Sequence, residues 1–199
     1  GTCLILITPD SERTMCTFLG IAGKINDGDV NAEDVKKAEI TFLEGYLWDE
    51  GEPKKAFDKA IKNSNKVAMS LSDLFCVERH KNNFLELVKN KLDIIFANEQ
   101  EILSLLNTKS LQEVISFCKN LQKNVVITRG KDGAMAIIND EVFEVDTNKN
   151  LEITDLTGAG DLFAAGYLHG LVNKMEINDC LKKGTELSSK IIQKIGARL

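Results

Sequence analysis

The chain is poor in the groupings that signal a metal or disulfide framework. Its five cysteines (Cys3, Cys16, Cys76, Cys118 and Cys180) are odd in number and form no Cys-x-x-Cys pair, and its two histidines, His80 and His169, stand far apart. A structural zinc needs several such ligands at close spacing, so none is expected; reduced, mostly buried thiols of a cytoplasmic protein are. No apolar run approaches the length that spans a bilayer, so no membrane association is expected. Neither sign of charge dominates. The 25 basic and 30 acidic residues are interspersed and leave a net charge of −5, without the electrostatic footprint of a nucleic-acid partner. Two common nucleotide loops are missing as well. No Gly-x-x-x-x-Gly-Lys-[Ser/Thr] occurs, and the position that would complete Gly-x-Gly-x-x-Gly after Gly158 and Gly160 is Phe163. A dehydrogenase- or methyltransferase-type cofactor binder is therefore disfavoured.

What is present is Asp155-Leu156-Thr157-Gly158-Ala159-Gly160-Asp161, running directly into the apolar stretch that begins at Leu162. Three residues without bulk let backbone N–H groups approach an anion closely, and the N–H groups that open a helix lack intrahelical partners. The helix dipole adds positive potential at the same place. Asp161, in the first turn, would stand beside this anion hole as the group able to accept a proton. An anion hole with a carboxylate is what a phosphotransferase needs. The plainer reading is a tight turn with ordinary dipole compensation by Asp161, and spacing does not separate the two.

At 199 residues the chain can bury one sizeable core, and a single domain is the default. Residues 2–8 and 13–19, joined by Pro9-Asp10-Ser11-Glu12, read as a β-hairpin. A helix start at 31–34 follows, then a buried parallel strand over 40–47, where Glu44 and Tyr46 are candidate rim residues. An amphipathic helix covers 53–63, a strand 66–71, and a polar segment carries Arg79 and His80, read as surface or helix-start residues. Helix, strand and helix follow over 84–88, 93–97 and 110–121, then strands at 124–128, 134–138 and 142–145. The last two helices begin at the glycine loop and at Ile177. The first presents Leu162, Phe163, Ala165, Gly166, Leu168 and Leu171 to the core; the second runs to Ile195, with Gly196 as its C-cap. This alternation specifies an α/β fold with a mostly parallel, doubly wound sheet flanked by helices.

Two further candidates lie along this path. Asn98 ends a strand and precedes Glu101 by three residues, the spacing of a helix capping box. Thr128-Arg129-Gly130-Lys131-Asp132-Gly133 is a strand end and turn whose glycines relieve a tight backbone and expose N–H groups to a nucleotide. Arg129 either reaches phosphates or points to solvent.

Four ordered stretches resemble the PfkB, or ribokinase-like, family of carbohydrate and nucleoside kinases: residues 98–101, 126–134, 155–163 and 194–198. The resemblance implies a ribokinase-like fold and transfer of the ATP γ-phosphoryl group to an alcohol. It makes Asp161 the base and Gly158, Ala159 and Gly160 the anion hole. It places Asn98 and Glu101 on Mg²⁺ through water, and Thr128, Arg129, Gly130, Gly133 and Thr157 on the nucleotide. It puts Asp155, with carbonyls near Gly196, at a K⁺ site. Within the family, residues 45–49 and the hairpin look most like adenosine-kinase-like members, with adenosine-like and ribose-like substrates left open. A non-catalytic nucleotide-binding protein is the alternative. Residues 1–23 are expected to form part of a β lid, through which a homodimer is admissible, and 24–199 the nucleotide-binding and catalytic core. Measured against the family, the first β-α units and much of the sugar pocket would precede Gly1, which makes this a C-terminal segment.

Overall fold

The computed structural model describes residues 1–199. The chain divides into two compact units, one of residues 1–19, 128–136 and 143–199, the other of residues 20–127 and 137–142. Six strands, β3 (Thr41–Glu44), β4 (Val67–Ser70), β5 (Ile94–Asn98), β6 (Asn124–Thr128), β7 (Ala134–Ile138) and β8 (Glu141–Val145), follow one another in chain order in one sheet. β1 (Thr2–Ile7) and β2 (Arg13–Phe18) form a separate antiparallel hairpin, in register from Thr2 opposite Phe18 to Ile7 opposite Arg13. No helix is long and apolar enough to cross a membrane.

In the larger unit β3 pairs parallel to β4, and β4 to β5. Strands covered on both faces have no polar side, and Val67, Ala68 and Met69 of β4 and Ile94 to Ala97 of β5 are all buried. Around them pack α1 (Ala32–Lys37), α2 (Glu52–Asn63), α3 (Leu74–Arg79), α4 (Lys81–Asn90), α5 (Glu99–Leu106) and α6 (Leu111–Leu121). α2 buries Ala56, Phe57 and Ala60 and leaves its lysines outside.

Two expectations are corrected here, the extent of the first parallel strand and the polar segment; Arg79 and His80 are a surface and a helix-start residue as read. The strand expected over 40–47 ends at Glu44 and is half-buried; Gly45–Leu47 is a 3₁₀ turn. A Cβ on Gly45 would lie 3.0 Å from the carbonyl oxygens of Ser70 and Leu71, so the chain turns where only glycine fits comfortably. The polar segment before His80 is a helix, α3, capped by the Asp73 side chain, which accepts from the Cys76 N–H at 2.7 Å. His80 starts α4 but is buried, its ring 4.7 Å from Trp48 and 5.8 Å from Phe84. Burial lowers its pKa against the opposing charge of Asp49. Arg79 is at the surface, paired with Asp49 at 2.9 Å.

In the smaller unit α7 (Ala159–Val172) packs along α8 (Ile177–Ile191). The face α7 buries is Phe163, Ala164, Gly166, Tyr167 and Gly170; Ala165 is exposed, contrary to the expected face. The reason is the glycine seam, which brings the helices too close for larger residues there. A Cβ on Gly166 would stand 2.6 Å from the Lys183 carbonyl oxygen, and one on Gly184 2.8 Å from that of Phe163. α8 ends at Ile191 with Ile192 as its C-cap, not at Ile195, and Gly196 lies beyond the helix. All five cysteines are free, but the expectation of mostly buried thiols is corrected: only Cys118 and Cys180 are buried, Cys76 is half-buried, and Cys3 and Cys16 of the hairpin are exposed.

The seam gives a stability prediction. Gly166→Ala should destabilise the protein by about 1–3 kcal/mol in urea unfolding, the usual cost of overpacking. Gly160→Ala, whose added Cβ meets nothing within 4 Å, should not destabilise it. Equal midpoints for the two variants would show that the helices can part without cost.

Candidate functional site

The loop before α7 is built on a buried carboxylate. Asp155 is 1% exposed, and its Oδ1 accepts from the Thr157 N–H at 2.8 Å and the Thr157 hydroxyl at 2.6 Å. Its Oδ2 accepts from the Gly196 N–H at 2.9 Å. The Thr154 and Asp155 N–H groups donate in turn to the Ile192 carbonyl at 2.8 and 3.2 Å. Burial by itself would push the Asp155 carboxyl up; the bonds from Thr157 and Gly196, with the Arg13 guanidinium, outweigh it and hold the carboxyl below its ordinary value.

From this anchor the chain turns at Gly158, whose φ of 79° is left-handed and favours glycine. A Cβ there would meet Ala197 at 3.0 Å. Gly158 is the N-cap of α7 and offers no side-chain acceptor. The Ala159 N–H reaches the Leu156 carbonyl at 3.3 Å, while those of Gly160 and Asp161 donate to no protein group. Asp161 is exposed in that same first turn. The helix start thus presents unsatisfied donors, an open glycine and an adjacent carboxylate.

Ala159 and Gly160 also line a cleft of about 780 Å³, with Thr128, Gly130 and Gly133 among its other walls. Gly130 and Gly133 have φ of 55° and 85°, and a Cβ on Gly133 would lie 2.0 Å from the Val145 carbonyl oxygen. Only glycine permits that crossing. Arg129 points neither plainly to solvent nor into the cleft: its guanidinium pairs with Glu144 at 3.5 Å. Thr157 is buried behind the loop on Asp155.

Asn98 and Glu101 belong to the larger unit and form the expected capping box. The Asn98 N–H and side-chain amide donate to the two Glu101 oxygens at 2.9 and 2.6 Å, and Asn98 Oδ1 accepts from the Glu101 N–H at 2.8 Å. Glu101 is 4% exposed. Burial pushes its carboxyl up to about 7, against the Asn98 hydrogen bonds and with help from the charge of Asp73. Glu44 accepts from the Ser72 hydroxyl at 3.3 Å, and the Tyr46 N–H donates to that hydroxyl at 3.1 Å.

Sequence reading missed one wall of the cleft. Thr185, Ser188, Ser189 and Ile192 line it from α8 and its cap. Their spacing of i, i+3, i+4 and i+7 was the available signal, a polar interruption on a helix read only for its apolar face.

A match to the pfkB carbohydrate kinase family extends over residues 1–199. The chain belongs to that family. A probable sugar kinase from Rhizobium etli is 37% identical with a TM-score of 0.93, covering 98% of this chain and 61% of its own. The adenosine kinase of Sinorhizobium meliloti is 34% identical with a TM-score of 0.95, over 99% of this chain and 62% of its own. The adenosine kinase of Dictyostelium discoideum is 28% identical over 99% of this chain and 63% of its own. The expected ribokinase-like α/β fold is thereby established, and the chain spans about three-fifths of the length of these relatives.

Glu101 carries a pH signature. A carboxyl raised from 4.5 to about 7 in the folded state leaves stability intact below pH 4.5 and removes it as pH rises through 7. Relative to Glu101→Gln, the wild type should lose up to about 3 kcal/mol between these limits in urea titrations. A difference that stays constant with pH would show that Glu101 ionises alike in the folded and unfolded chains.

Proposed function

We propose that this protein is an ATP-dependent kinase that transfers the γ-phosphoryl group to a hydroxyl of a sugar or nucleoside, adenosine-like or ribose-like. The observation that carries the reading is the uncapped start of α7, where open Gly160 and two unpartnered N–H groups lie next to the exposed carboxylate of Asp161. Family membership and the names of the relatives supply the reaction class.

Phosphoryl transfer has a loose transition state, so positioning and charge stabilisation matter more than covalent chemistry. Asp161 takes the proton of the acceptor hydroxyl and aligns its oxygen. The N–H groups of Gly158 and Gly160, with that of Ala159 released from its 3.3 Å bond to the Leu156 carbonyl, receive the negative charge carried by the phosphoryl oxygens. Thr128, Gly130 and Gly133 line the donor cleft; Thr157 acts from behind it by holding the loop on Asp155, and Arg129 would reach the phosphates only by leaving Glu144. Mg²⁺, when bound, would supply charge neutralisation at the phosphates. Asn98 and Glu101 fit such a role through water, because both carboxylate oxygens already accept from Asn98. Three of about four acceptor positions on Asp155 are filled, which leaves one for K⁺. We assign the catalytic core to residues 24–199 and a lid role to 1–23.

Asp161→Asn should lower turnover by about 10²–10⁴-fold, the range for a lost general base, with ATP binding within a few fold. The assay is ADP release by the purified full-length protein with Mg²⁺ and K⁺, across adenosine, ribose and fructose. Unchanged turnover would remove Asp161 from this role, and ATP binding without turnover on any alcohol would make the protein a non-catalytic nucleotide binder. Gly160→Val, whose Cβ meets nothing within 4 Å, should cut ATP affinity by at least about tenfold in calorimetry; wild-type affinity would reduce the loop to a turn.

A further inference from the structure

The α8 wall of the cleft bears on which phosphoryl donors the protein takes, an inference that rests on the reading of this cleft as the donor site. Leu151, Ile153, Leu156, Phe163 and Ile192 supply apolar surface on which the face of a base can pack. Among them α8 places three hydroxyls. That of Thr185 is committed as a donor to the Leu181 carbonyl at 3.0 Å. Those of Ser188 and Ser189 have no hydrogen-bond partner within the protein. The lining residues whose side chains hold a donor or an acceptor of fixed sense, Lys131, Asp132, Asn148 and Lys149, are all exposed, and Asn148 Oδ1 is taken by the Asn150 N–H at 3.1 Å.

A serine hydroxyl offers one donor and two acceptor lone pairs and rotates to suit its partner. It can accept from an exocyclic amino group or donate to a carbonyl oxygen at the same place on a base. Strong discrimination arises when a site holds a buried polar group of one fixed sense, which the wrong ligand leaves unpaired. The α8 wall has no such group. We propose that the cleft does not distinguish 6-amino from 6-oxo purines, so that ATP and GTP are comparable donors, with Ser188 and Ser189 as the base-edge contacts.

Calorimetric titration of the full-length protein with ATP and with GTP, each in excess Mg²⁺, tests this. Dissociation constants within about fivefold of one another are expected. GTP binding weaker by more than about fiftyfold would overturn the inference and leave the donor cleft standing. Failure of both nucleotides to bind would overturn the donor cleft with it. In the Ser188→Ala/Ser189→Ala double variant both nucleotides should lose about tenfold in affinity by a common factor. Unchanged affinities, or a loss confined to one nucleotide, would overturn the role of the hydroxyls.

Discussion

A single buried carboxylate, that of Asp155, fixes the geometry on which the candidate site depends. A charge in the protein interior is tolerable only when hydrogen bonds replace its lost water. Asp155 obtains three, from Thr157 twice and from Gly196 once, and so binds the approach to α7 to the chain that has just left α8. The Ile192 carbonyl adds the same connection in the opposite sense by accepting from Thr154 and Asp155. Gly158 then turns with Ala197 packed against it. The donors at the helix start are therefore held in place before any anion arrives, the condition under which they stabilise developing charge most effectively.

The helices themselves complete that support. α7 could not keep its first turn fixed if it slid along α8. The seam of Gly166, Gly170 and Gly184 sets their separation with clearances that leave no room for a β-carbon at any of the three. Tyr167 is fully buried beside it. A site raised on packed helices in this way is positioned more tightly than one carried by a long loop.

What could be read in the sequence was whatever local chemistry decides. The apolar runs of β4 and β5, the glycine loop, and the Asn98–Glu101 box all stand where residue patterns place them. Features set by distant partners were not legible. Gly196 satisfies the local rule for a C-cap, yet its N–H is used 41 residues away by Asp155, and α8 stops earlier. His80 starts a helix, as its sequence allows, but nothing local shows that Trp48 covers it. Arg129 had two plausible destinations in sequence and took a third, Glu144, on β8. The hydroxyl wall on α8 was overlooked for a different reason, since small polar residues on a helix face raise no signal until a cavity is seen beside them.

Glu101 shows how far capping alone explains the site. A capping interaction contributes about 1 kcal/mol to a helix start. Raising a carboxyl from 4.5 to about 7 opposes folding at neutral pH by roughly three times as much. The desolvation is thus larger than the cap it accompanies, and an uncharged glutamine would keep the bond to the Asn98 N–H without that penalty. A buried carboxylate with both oxygens already oriented by one asparagine is unfavourable for α5 but well disposed to hold the water of a hydrated cation, whose charge would draw its pKa back down. Under the role proposed for Glu101, a hydrated cation would offset the desolvation that the cap leaves uncompensated.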